Sequence, residues 1–241
     1  MVFSFISIKK FVNEPYSKIL GYPKSTNRQI KSRINELEKL KIRCADYIVV
    51  ESKVIKKQLI RKGVPGDKII IAMNAVNVEE FKPNPVTRKN FRANVNINED
   101  RCMVGYLGSY AFYHNPQLFV KAAKIVCQRM KNPPFFLMVG KGMHYNGCVR
   151  LAKDLGLSSR EIMFLDGVAM NKVPQILSAL DVTVLPGSTN IICPIKVYEY
   201  MAAETAAVLP DYDCNREAVS NQSAVFFKAN DANSLAKQIY I

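Results

Sequence analysis

The sequence predicts an α/β protein: a doubly wound parallel sheet over its second part, preceded by a smaller strand–helix–strand segment. Three observations predict it. Short apolar runs alternate with stretches whose apolar residues recur every three or four positions, the pattern of strands alternating with amphipathic helices. Runs such as FFLMV (135–139) and VTVLP (182–186) are apolar at successive positions, so both faces of the sheet are covered. A proline pair in FKPNPV (81–86) interrupts the series and reads as a linker, dividing the chain into 1–85 and 86–241.

Each element has its own signal. Residues 1–27 show no clean period, and the opening MVFSFISIKK is too briefly apolar, and charged too early, for a secretory leader. From Arg28 to Arg43 the apolar positions Ile30, Ile34, Leu37 and Leu40 recur at helical spacing between charges. YIVV (47–50) reads as a short buried strand. Ser52 is suited to cap a basic helix running to about Lys62, which Gly63 closes. KIIIAM (68–73) is a second apolar strand, completing a βαβ unit. Beyond the prolines, strand 103–108 leads to helix 116–130 and strand 135–139 to a helix around 147–155. Strand 162–165 then leads to helix 171–180, and strand 182–186 to helix 195–203. Strands 206–210 and 223–227 and helix 231–239 complete the series.

Composition narrows the function classes. At 49% hydrophobic and 22% charged, the 241-residue chain is neither disordered nor low in complexity. No apolar run approaches the roughly 18 residues that a membrane-spanning helix needs. The formal charge is +14, and it is unevenly placed: residues 1–90 carry 19 Lys+Arg against 8 Asp+Glu, whereas the rest is nearly balanced. A basic surface attracts nucleic acid, anionic lipid or phosphorylated substrates. Nucleic acid is not expected, because no recognised motif appears and aromatic residues do not interleave with the basic run. Segment 53–62, KVIKKQLIRK, is a basic amphipathic helix that either docks on an anionic membrane surface or is simply a solvated face. The six cysteines form no C-x-x-C pair, and only His114 and His144 could join them around a metal, so no metal is expected. Scattered thiols in apolar surroundings suit a reduced, cytoplasmic protein.

In open α/β sheets ligands bind beyond the carboxyl ends of the strands. Gly105-Tyr-Leu-Gly108-Ser109 closes a strand ahead of a helix, where glycine lets a phosphate approach the backbone and the helix start offers N–H donors. The same residues equally make a tight structural turn. Gly140-Lys141-Gly142 and Asp166-Gly167-Val168 follow the same logic. The segment Cys193-Pro194-Ile195-Lys196-Val197-Tyr198-Glu199 says most: Pro194 suits a helix start, and Lys196 and Glu199, three apart, share one face. That pair either meets a phosphate and sugar hydroxyls or forms an ordinary surface ion pair.

PIKVYEYMAAETAAVLPD is similar to the pattern P-x-K-x-x-E-Y-M-A-x-G-x-P-V-V-x-x-D of family-four retaining glycosyltransferases with the GT-B fold. ADYIVVESKVIKKQLIRKGVPGDKIIIAMNAVNVEEFKP resembles the junction between the two domains of that family, and VGYLGSYAFYHNPQLFVKAA its V-G-f-x-G-S…W-H-G segment. GVAMNKVPQILSALDVTVLP and NREAVSN resemble two further family segments, all in family order over about residues 28–240. The resemblance implies a Rossmann-like C-terminal half of a GT-B fold over 86–241, binding a nucleoside-diphosphate sugar. It also implies that 1–85 is a partial, acceptor-side remnant, with most of the acceptor half absent or supplied by a second chain. It implies retaining transfer of a sugar to an acceptor hydroxyl, glycan or lipid-linked, with no metal and no cofactor beyond the sugar nucleotide. The alternative is a non-catalytic or truncated sugar-nucleotide-binding protein or partner subunit.

Carried over residue by residue, Glu199 would hold the donor ribose, while Lys196, Gly108 and Ser109 would face the diphosphate. His114 would lie near the phosphates, Val168, Gly140 and Gly142 would border the base, and Pro194 would set the helix start. His114, Lys196 and Glu199 are thereby the catalytic candidates. Asp211 and Asp213 bracket Tyr212 as metal ligands could, yet they align with the family's V-V-x-x-D turn. The chain departs from the family where the acidic residue eight positions before Glu199 is Ile191, and where Ala75, Asn115 and Glu204 replace glycine. Wherever such a site needs positive φ, a non-glycine residue costs about 1–2 kcal/mol.

Overall fold

The structure, a computed structural model, describes residues 5–7 and 28–240. The reading of the opening segment as lacking a leader falls, except for 5–7, outside the described residues. The described chain forms two compact units: one takes in residues up to Asn74 together with Thr189–Cys193 and Tyr212–Ala218, and the other the remainder.

The first unit is built on three parallel strands, β1 (Phe5–Ser7), β2 (Tyr47–Val50) and β3 (Ile69–Ile71), in the order β1-β2-β3. Helix α1 (Arg28–Cys44) precedes β2, and α2 (Lys53–Arg61) crosses from β2 to β3. The period-2 burial of Ile48 and Val50 faces Ile55 and Leu59 of α2, one turn apart, and Ile69 and Val64 close this core. Ser52 caps α2 as expected: its side chain accepts from the Ile55 N–H at 3.1 Å and donates to the Ile191 carbonyl at 2.5 Å. Ile191 lies in this apolar cluster, 3% exposed. The apolar stripe read on α1 behaves differently, for Leu37 and Leu40 are exposed. Strand β1 had no period to announce it, since three residues are too few to show one.

The linker expected at 81–86 is a correction. Val78–Phe81 forms a short helix, α3, and Pro85–Asn94 forms α4. Asn84 is the N-cap, accepting from the Thr87 N–H at 3.0 Å, and Pro85 occupies the first turn, where its missing N–H costs nothing. Arg92, fully buried, binds α4 to the sheet: it donates to the Ala179 carbonyl at 2.8 Å, to the Asn98 and Arg101 carbonyls, and to Asp181 at 3.3 Å. Asp181 in turn accepts from the Met103 N–H at 2.7 Å and from Arg88 at 2.7 Å. A buried arginine with this many acceptors carries no uncompensated charge.

The second unit holds six parallel strands: β4 (Met103–Leu107), β5 (Phe135–Val139), β6 (Ile162–Leu165), β7 (Val182–Val184), β8 (Ala206–Pro210) and β9 (Ala224–Phe227). Their order is β6-β5-β4-β7-β8-β9. Helices α5 (Pro116–Arg129), α6 (Tyr145–Asp154), α7 (Val173–Ala179) and α8 (Ile195–Ala202) follow strands β4 to β7 in turn, close to the expected spans. Helix α9 (Asp213–Ala218) follows β8 and belongs to the first unit, while α10 (Ala232–Ile239) packs beside α5. β4 and β5 are buried at every position, as central strands with helices on both faces must be. The order is that of a doubly wound sheet, and it reverses between β4 and β7. A crevice for a ligand opens beyond the carboxyl ends at such a reversal.

Candidate active site

Lys196 is the centre of the site at that reversal. Pro194 stands at the N-cap of α8, one position earlier than the helical turn expected of it, and accepts from the Val197 N–H at 3.0 Å. The first turn of α8 then directs the Lys196 ammonium onto the face of Tyr106, 5.2 Å from the ring centroid, and against the backbone of Gly108. A Cβ at Gly108 would collide with that ammonium, so glycine here makes room for the lysine. Lys196 is desolvated here and Glu199 is buried, so the two feel each other's charge inside the site and are not an exposed surface pair.

Burial and chemistry distinguish the three candidates. Desolvation lowers the Lys196 pKa to about 8, and the field of Glu199 offsets this only in part. Glu199 is 9% exposed, and its burial raises its pKa; Lys196 opposes that rise and Glu80 of α3 adds to it. His114, at the end of the 3-10 turn Phe112–His114, is 9% exposed. Burial first, then the Lys196 charge, lowers its pKa to about 4. Its Nδ1 lies 3.3 Å from the Gly187 carbonyl, so Nδ1 carries the proton that it donates there, leaving Nε2 as an acceptor.

The turns after β4 and β5 are laced together. The Gly108 N–H donates to the Val139 carbonyl and the Tyr110 N–H to the Lys141 carbonyl, each at 3.0 Å. A Cβ at Gly140 would run into the Gly108 carbonyl oxygen, and one at Gly142 would stand 2.9 Å from the Tyr110 nitrogen. Gly140 and Gly142 therefore have a packing reason to be glycine before any ligand arrives. Ser109 is exposed, and its carbonyl accepts from the Tyr106 hydroxyl at 2.7 Å. Val168, 39% exposed, follows Gly167, against which the aliphatic stem of Lys141 packs. Thus Gly108, His114, Lys196 and Glu199 interact through space, the turn at 140–142 is bonded to that of 108–110, and Val168 adjoins it through Lys141.

Two residues outside the expected set complete the site. Gly187, just past β7, accepts from His114, and a Cβ there would sit 3.0 Å from His114 and Asn115 atoms. Its signal in the sequence is the Pro186-Gly187 pair that ends a strand. Tyr106 both carries the Lys196 ammonium on its ring and holds the Ser109 carbonyl; it lies on β4, two residues before Gly108. Asn115 begins α5 with φ 45°: its carbonyl accepts from the Leu118 N–H at 2.9 Å, while its side chain donates to Asn230 at 3.1 Å and makes no cap. Among the described residues no group of three or more His, Cys, Asp or Glu converges as a metal-ligand set.

The doubly wound six-stranded sheet matches the Rossmann-like C-terminal half of a GT-B protein. The chain belongs to the glycosyl transferases group 1 family, whose pattern matches residues 87–240. No curated protein is similar in sequence. Among solved structures, Anabaena Alr3699/HepE in complex with UDP is similar over 89% of this chain and 58% of that one, with a TM-score of 0.76 and 17% identity. Sucrose-phosphate synthase from Thermosynechococcus elongatus is similar over 89% and 53%, with a TM-score of 0.71 and 19% identity. The C-terminal domain of the group 1 glycosyl transferase LpcC from Francisella tularensis covers 68% of this chain and 86% of its own length, with a TM-score of 0.59 and 17% identity. The chain thus spans little more than half the length of the first two.

Proposed function

We propose that residues 86–241 bind a nucleoside-diphosphate sugar and serve as the donor half of a retaining glycosyltransferase, with 1–85 on the acceptor side. The observation that carries this reading is the partly desolvated Lys196 ammonium, held over Gly108 at the reversal of the sheet beside neutral His114. A cation whose lost hydration Glu199 offsets only in part is suited to a diphosphate. Glu199, on the same face one turn further on, is suited to accept hydrogen bonds from ribose hydroxyls. Transfer in this reading rests on stabilising the charge that develops on the departing diphosphate, by Lys196 and the Ser109 amide, beside a Gly108 whose own N–H is spent on the Val139 carbonyl. No protein nucleophile and no metal are required. The acceptor is a glycan or lipid-linked hydroxyl, reached at an anionic membrane surface or on a second chain that completes the acceptor half.

A second reading, a sugar-nucleotide-binding subunit without turnover, is favoured by one residue. Ile191 stands where the resemblance places an acidic group, and it is spent in the core of the first unit.

A thermal-shift titration with UDP, GDP and ADP and their sugars, on wild type and Glu199→Ala, tests the donor site. UDP is tried first because Alr3699/HepE has been crystallised with UDP and with UDP-glucose. Ligand at about 100 times its dissociation constant adds nearly 3 kcal/mol. Stabilisation by one nucleotide, lost in Glu199→Ala, is the expected result; no shift from any nucleotide on the folded protein would end the donor-site reading. Sugar release from the bound donor distinguishes the enzyme from the binding subunit.

A further inference from the structure

A second concentration of charge lies in the first unit and shares no residue with the donor site. Helices α2 and α9 enclose an open cleft of about 490 Å³. Lys53, Lys57 and Arg61 line it from α2, at i, i+4 and i+8, and Arg216 lines it from α9 with Asp213 and Glu217. Like charges one turn apart on a helix repel, and a surface helix built only for solubility alternates their sign. Here three cations follow one another along the cleft. Four cations and two carboxylates line the cleft. Glu217 directs both oxygens to the Lys53 N–H, at 2.8 and 2.9 Å, so its charge is committed to the start of α2. Lys56 does not line the cleft and donates to the Ile69 carbonyl at 2.8 Å.

From this arrangement we propose that the α2–α9 cleft binds a phosphate-bearing group. The volume is that of a small-molecule site, and six of its eight lining residues are charged, with Val54 and Gln58 between them, which suits an anionic head on a short carbon skeleton. Lysines provide point charge and arginines a planar fork that matches phosphoryl oxygens, and here the two kinds approach from two helices. The excess of positive charge on residues 1–90 draws such an anion toward the unit. Two sources share this chemistry: a soluble phosphate monoester and the phosphate of a lipid headgroup.

The full chain is titrated calorimetrically with glycerol 3-phosphate, and separately sedimented with phosphatidylcholine vesicles containing phosphatidic acid, at one low ionic strength. Wild type is compared with Lys57→Glu/Arg61→Glu and with Lys153→Glu/Lys237→Glu, which changes net charge equally on exposed residues outside the cleft. Binding of either probe that weakens at least tenfold in the cleft variant and less than twofold in the control supports the site. A soluble probe that binds identifies a free ester, and binding of vesicles alone identifies a headgroup. Equal weakening in both variants, or no binding of either probe to the folded wild type, overturns the proposal. Thermal melting verifies folding, and Lys57→Gln/Arg61→Gln replaces the reversal if that variant does not fold. The nucleotide shift of the donor test is read on the same variants; it stays unchanged, so failure at one site is distinguishable from failure at the other.

Discussion

Lys196 keeps its ammonium against the Tyr106 ring and the Gly108 backbone, where lost hydration lowers its pKa to about 8. A bound diphosphate restores the favourable field and moves that pKa back toward the free value. Binding of ADP, whose phosphates are already fully ionised at about pH 9, therefore takes up close to one proton there, and at about pH 7 this lysine takes up almost none. Calorimetry in two buffers of different ionisation enthalpy measures this; no buffer dependence at the higher pH, or an unchanged one in Lys196→Met, would refute it. His114 titrates in another window. Its folded pKa of about 4 lies below the ordinary 6.5, so the unfolded chain binds the proton more readily between these values. Its contribution is present above the unfolded pKa and is lost as pH falls from about 6.5 to 4, about 3 kcal/mol in all. Urea unfolding of wild type and His114→Gln at the two ends of that range should show a shallower decline in the variant.

Helix α8 ends in a Schellman motif: the Thr205 N–H donates to the Tyr200 carbonyl at 3.2 Å and the Glu204 N–H to the Met201 carbonyl at 3.0 Å. The residue required to be left-handed is Glu204, with φ 53° and its side chain in solvent. Glu204→Gly should raise stability by about 1 kcal/mol in urea unfolding, whereas Glu204→Ala should not. Of the three glycine replacements visible in the sequence, Asn115 and Glu204 have positive φ and Ala75 does not. Asparagine tolerates that region best, so Glu204 is the one with strain to recover. The same scale explains the linker that proved to be a helix. Asn84-Pro85 is a cap followed by a first-turn proline, a start signal that resembles a break when only the two prolines are weighed. What keeps the helix in the second unit is the bonding of Arg92 to carbonyls on distant segments, which no local pattern contains.

Across the whole molecule, charge and core are distributed differently. The +14 net charge, most of it in the first 90 residues, predicts that anionic vesicles float the protein at about 10 mM salt and release it at about 0.5 M, where screening shortens the field to a few ångströms. Retention at the higher salt would point to apolar insertion instead; among the described residues no helix is long and apolar enough to cross a membrane. The sequence by itself determined the α/β class, nearly every strand and helix of the second unit, and the family segments holding Gly108, His114, Lys196 and Glu199. These are legible because hydrophobic period, caps and turn residues are local properties of the chain. Tertiary structure alone decided that Lys196 turns to Tyr106 and loses its hydration there, and that His114 is neutral and bonded to Gly187. It also decided that Gly140 is required by the backbone of Gly108, and that Thr189–Cys193 and Tyr212–Ala218 join the first unit. Each depends on residues far apart in sequence meeting at van der Waals distance, and desolvation and close packing arise only where they meet.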